Sequence, residues 1–188
     1  MLDPLSHLFA AVCGQNPEHT WAPGGLLLPC CQRCTGFYVG ALVAMVLHLW
    51  LRPRISGRFL ELHGVLLLQM VPFGFHWLPQ GPVSRTATGL LFGVGVVAFL
   101  WLVPGARLQA VNARHRPRAT WSYSLGLGAS LGLLPVTAAW GDTVGALWLS
   151  CLAFGGATGL AGLVLTNLGL GLGSLLKLCR CVKPEASP

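Results

Sequence analysis

The sequence predicts an all-α fold, a polytopic bundle of about five transmembrane helices preceded by a Cys-rich outer N-terminal segment. Composition predicts it first. Of 188 residues, 54% are hydrophobic and only 9% charged, where water-soluble chains carry roughly a quarter, so a globular surface could not be clothed in charge. Disorder is excluded by the same balance, since it needs low hydrophobicity and high charge. Second, the apolar residues fall into runs near the roughly 20 residues that a bilayer-crossing helix needs. Third, the basic residues lie between those runs. A formal charge of +7 would suggest nucleic acid if it formed one patch on a soluble fold. Distributed between apolar runs it sets membrane orientation instead. The expected partner is the lipid bilayer, and no nucleic acid.

The expected spans are Thr35–Leu51, Phe59–Leu78, Thr86–Val103, Trp121–Trp140 and a long run from Thr143 to about Leu176. Three segments result: residues 1–34, an extracytoplasmic Cys/His segment with a short interfacial helix; residues 35–176, the bundle; residues 177–188, a basic cytoplasmic tail. Arg52, Arg54 and Arg58 follow the first span, and only Arg85 the second. Arg107, Arg114, Arg116 and Arg118 follow the third, only Asp142 the fourth, and Lys177, Arg180 and Lys183 close the chain. Rich and poor connections alternate as the positive-inside rule requires, placing the N-terminus outside and the C-terminus in the cytoplasm of a cell's inner (plasma) membrane. The last run could turn near Asn167 into two short helices. That would carry the basic tail outside, so one helix with an extended inner end is expected. The start carries Asp3 and no Lys or Arg, and its apolar stretch Leu8 to Val12 is short, so no secretory signal is expected.

Within the spans, small residues recur at spacing four: Gly36/Gly40, Gly89/Gly93, Gly128/Gly132 and Gly155/Gly159. Such pairs let backbones approach in lipid. Intramolecular packing is the expected use, with a homo-oligomer face as the alternative. Pro72 and Pro135 should kink the second and fourth spans. The run Gly93 to Ala98 fits a dinucleotide-binding pattern, but it sits mid-span with no preceding strand and carries no such meaning.

The chemistry concentrates near the N-terminus. Cys13, Cys30, Cys31 and Cys34 are four of the seven cysteines, all at or beyond the outer membrane edge in this topology. Cys31 and Cys34 bracket Gln32 and Arg33 just before the first span. Two thiolates at that spacing can share a metal ion, with Cys13 and a histidine completing a tetrahedron. The spacing equally suits thiol–disulfide exchange, because a helix N-terminus and Arg33 favour a thiolate. A structural disulfide or inert thiols are the third possibility. His19 lies close in sequence, and His76 ends the second span on the same side as Arg85.

The second span is the most polar. At about 100° per residue, Glu61, Gln69, Pro72 and His76 fall within about 80° on one helical face. Intramembrane polar groups normally face a bundle interior. Glu61 and His63, beside Arg58 and His48 at the inner end, are expected to form a snorkelling ion-pair cluster.

Cys13, Gln15, His19, Thr20 and Trp21, followed by Leu28, Pro29, Cys31, Arg33, Cys34, Thr35, Gly36, Tyr38 and Gly40, resemble the pattern of a prokaryotic family of predicted membrane proteins known as domain of unknown function 2085. The likeness continues more weakly through Pro72, Ser84, Arg85 and Gly89, and covers about residues 7 to 103. It implies a membrane protein and brings no activity. Gly14 stands where the family pattern has a His, His19 replaces its first arginine, and Phe75-His76-Trp77 replaces an Asp followed by Gly or Trp.

The leading expectation is therefore an outward-facing centre for a soft or borderline metal, most simply zinc, held by Cys13, Cys31, Cys34 and either His19 or His76. The first alternative is a membrane thiol oxidoreductase passing electrons between Cys31/Cys34 and a quinone, with Cys13 or Cys30 as exchange partner. The second is a transporter or lipid-handling protein using the polar stripe of the second span.

Overall fold

The computed structural model describes residues 3–53, 55–75, 77–111 and 120–181. His76, Arg54, the basic stretch 112–119 and the tail from 182 onward lie outside the described residues. The described chain is all-helical: α1 (Asp3–Ala10), α2 (Gln32–Leu51), α3 (Gly57–Leu68), α4 (Met70–Gly74), α5 (Pro82–Leu100), α6 (Leu102–Val111), α7 (Thr120–Trp140) and α8 (Thr143–Cys181). Three stretches are long and apolar enough to cross a membrane: Gln32–Leu51, Pro82–Leu100 and Thr143–Leu176. α7 is 21 residues long but is not among these three. The expected last run is one helix of 39 residues and does not turn at Asn167.

The second expected span is two helices. Pro72 has no N–H to offer the Leu68 carbonyl and its ring crowds that carbonyl. The helix breaks one turn earlier, at Gln69, whose backbone nevertheless stays right-handed helical (φ −58°, ψ −23°). The third expected span is likewise divided. Pro104 deprives the Leu100 carbonyl of its partner, α5 ends there, and α6 carries the chain through part of the expected connection. Asn167 of α8 repairs the loss by donating Nδ2–H to Leu100 O at 2.8 Å. A polar side chain deep in an apolar helix is thus spent on a backbone carbonyl that lipid could not satisfy.

α2 is the axis, packed mainly on α5 and then on α8, and α3 packs on α5. The α2–α5 contact is a reciprocal glycine seam. A Cβ at Gly36 would run into the Thr86 carbonyl and one at Gly40 into that of Leu90; from the other side, Gly89 faces the Arg33 carbonyl and Gly93 that of Phe37. Both spaced pairs of the sequence therefore serve intramolecular packing, where backbone contact replaces side-chain interdigitation. On α8 the closest approach is at Gly156, against the Tyr38 carbonyl. Gly128 and Gly132 meet nothing within 4 Å, so that expected pair packs no helix among the described residues.

At the end of the bundle opposite the cysteines, the expected ion-pair cluster is replaced by an aromatic one. Glu61 is exposed, and no ion pair joins it to Arg58 or a histidine among the described residues. His63 is buried, its Nδ1 on Phe59 O at 2.7 Å and its Nε2 on the Tyr123 hydroxyl at 3.1 Å. His48 is buried edge-on to Tyr123, its Nδ1 on Ala44 O at 2.8 Å. Neutral imidazoles with aromatic neighbours cost less to bury there than charges would.

Candidate metal centre

The N-terminal end of α2 defines the site. Cys31 is the N-cap residue with extended backbone (φ −66°, ψ 163°), and its carbonyl accepts the Thr35 N–H at 2.8 Å. Cys34 stands one turn on, so the helix projects both thiols from the same end of the rod, where unpaired N–H groups favour negative charge. Cys13 arrives from outside. Its N–H closes the last turn of α1 on Phe9 O at 2.9 Å.

A short loop then folds the chain back. The Asn16 side chain accepts from Glu18 N–H and caps the turn Pro17–His19, which brings Trp21 round to accept the Leu28 N–H at 2.9 Å. The Gln15 amide donates to Pro29 O at 2.9 Å, and the Trp21 indole donates to Thr86 Oγ1 on α5 at 2.8 Å. Gly24 adopts φ +58° against the start of α8, where a Cβ would strike the Thr143 N–H. Only glycine meets both conditions. The loop is thereby fastened to α2, α5 and α8, and Cys13 is fixed over α2.

The result is a three-sulfur cluster. The Sγ atoms of Cys13, Cys31 and Cys34 all lie within 4.8 Å of one another, and the Cys31 N–H donates to Cys13 Sγ at 3.3 Å. The Cys13 thiol is held well below the ordinary thiol range. The Cys31 and Cys34 thiols donate to its sulfur and outweigh the cost of burial, with help from the Cys31 and Gln15 backbone. Zinc–sulfur bonds of about 2.3 Å at tetrahedral angles separate sulfurs by roughly 3.8 Å, a modest contraction of this trio.

Not every sequence candidate joins the cluster. Cys30 turns away into the core, its Sγ 3.4 Å from the Thr35 hydroxyl, and burial pushes its thiol up to about 12. The four sulfurs are thus three plus one. His19 lines the same cavity as the trio, outside the three-sulfur group. Arg33 sends Nη2 to Phe73 O at 3.2 Å and to the Gln80 side chain, so it braces the end of α4. Cys13, Cys30, Cys31, Cys34 and Cys151 are all free thiols.

The cavity over the trio measures about 300 Å³ and is also walled by Asn16 and Arg85. Sequence reasoning placed Arg85 on this side of the membrane without assigning it a place in the site. It passed over Asn16 and the Trp21–Thr86 bond. Their only signal was position, a turn former after Cys13 and a threonine opening the third span.

Fold and site together define a helical membrane protein with a thiol cluster at one end of its bundle. The family described as "Predicted membrane protein (DUF2085)" matches residues 13–99, which bears out the resemblance read from the sequence. The match opens on Cys13 and closes near the end of α5, so it contains the loop, the glycine seam and the trio. A protein of Methanothermobacter thermautotrophicus, named only as an uncharacterized protein, is 29% identical over 92 residues, covering 47% of this chain and 83% of the relative. No solved structure matches.

Proposed function

We propose that this chain is a multi-span protein of the cell's inner membrane that holds a soft or borderline metal ion, most simply zinc, on its outer face. The observation that carries the reading is the convergence of Cys13, Cys31 and Cys34, from positions up to 21 residues apart in sequence, on one point. Three thiolates suit zinc or another thiophilic ion and suit hard cations poorly. His19, which lines the cavity over the trio, or His76 is the proposed fourth ligand. Orientation follows from charge: Arg52, Arg58 and Arg107 belong to the opposite end, which the positive-inside rule assigns to the cytoplasm.

The test is metal analysis of the purified protein beside its Cys31→Ser and Cys34→Ser variants. About one equivalent in the parent and near none in the variants is expected. Equal, near-zero content in all three ends the reading. The thiol oxidoreductase alternative predicts a different chemistry from the same trio: a disulfide joining two of these sulfurs, appearing and disappearing with quinone supply, and thiols that a chelator does not expose.

A further inference from the structure

The cavity over the thiols adjoins a second one that metal binding would not use. Val12, Arg33 and Cys34 line both. The second measures about 370 Å³ and is otherwise walled by Phe37 and Tyr38 of α2, Met70 of α4 and Phe92 of α5. Phe92 lies ten residues into α5, roughly 15 Å down the helix at 1.5 Å per residue. The paired space therefore passes from the polar outer end of the bundle into its apolar depth.

Its two halves differ in chemistry. The outer half presents Arg85, Arg33 and His19, and among the described residues no acidic side chain lines either half. At the junction, Arg33 Nε is buried and has no acceptor, although its Nη2 is engaged. A buried donor without a partner is costly unless a ligand supplies the acceptor. The inner half is aromatic and aliphatic.

We propose that this bipartite cavity binds a single-chain membrane amphiphile with an anionic head, an alkyl or isoprenyl phosphate in chemical class. The head sits between Arg85 and Arg33, and the chain lies along Phe37, Met70 and Phe92. This inference stands independently of the metal, because neither half of the recognition needs one.

Octyl phosphate, octanol and inorganic phosphate are titrated calorimetrically into the detergent-purified full chain. Octyl phosphate is expected to bind saturably at one site, at least tenfold more tightly than either half alone. Arg85→Gln and Phe92→Trp each weaken it tenfold or more, Arg85→Lys restores most of the affinity, and thermal unfolding verifies that the variants fold. Met70→Phe replaces Phe92→Trp if the latter does not fold. Equal binding of octyl phosphate and inorganic phosphate, or equal octyl phosphate uptake by parent and both variants, overturns the proposal.

Discussion

At the scale of single residues, the four N-terminal thiols are not equivalent, and the differences can be measured. In the metal-free protein the Cys13 thiolate is stabilised by the Cys31 and Cys34 thiols and by the Cys31 and Gln15 backbone, so its ionised fraction should barely change between pH 8 and pH 6. An ordinary thiol loses about a hundredfold of its thiolate for two pH units below its pKa. Iodoacetamide at pH 6, followed by peptide mass mapping, should thus modify Cys13 first and leave Cys30 untouched. Equal modification of Cys13 and Cys151 would contradict the arrangement. Metal retention should weaken as pH falls, because protons compete for the same sulfurs. The Cys30→Ala variant should keep its metal and lose only stability, on the order of 1–2 kcal/mol for a buried small side chain.

At the scale of elements, the seam between α2 and α5 governs the fold. Gly36→Val or Gly89→Val forces a side chain against a backbone carbonyl, which cannot move aside as a flexible side chain can. Each change should cost about 3 kcal/mol or more, seen as loss of the folded protein in detergent. Gly128→Val and Gly132→Val should be nearly silent in the same assay, since among the described residues nothing lies within 4 Å of a Cβ placed there. Asn167→Leu should cost about 1 kcal/mol, in the range of intramembrane hydrogen bonds, by leaving the Leu100 carbonyl unpaired.

These elements also show what the sequence could and could not reveal. Apolar runs and spaced glycines were legible, because lipid leaves helices little choice but to satisfy their own backbone and pack on small residues. The division of the second span was half legible through Pro72, while Pro104 and the division of the third were not anticipated, because where a helix gives way depends on which neighbour can adopt the freed carbonyl. Asn167, and Arg33 on Phe73 O, become partners only once α8 lies on α5 and α2 lies on α4. Likewise Cys30 and Cys31 are adjacent, and only the helix start decides that one faces the cavity and the other the core.

At the scale of the whole molecule, the two ends of the bundle do different work. One end gathers the loop, the three thiols and two arginines around open space; the other buries His48, His63 and Tyr123 in aromatic contact. The family match spans the first end and the α2–α5 seam, while α7 and α8 lie beyond it and support the unit from outside. Glu61→Gln and Gln69→Leu should leave metal content unchanged, since neither residue approaches the cluster. A fall to below half would relocate the site.

The most direct test of an outward-facing thiol centre is labelling of intact cells with a membrane-impermeant maleimide, with and without a thiophilic chelator. The account predicts little labelling of Cys13, Cys31 and Cys34 until the chelator is added, and then all three from outside. Labelling that ignores the chelator, or that appears only after the cells are permeabilised, would contradict it.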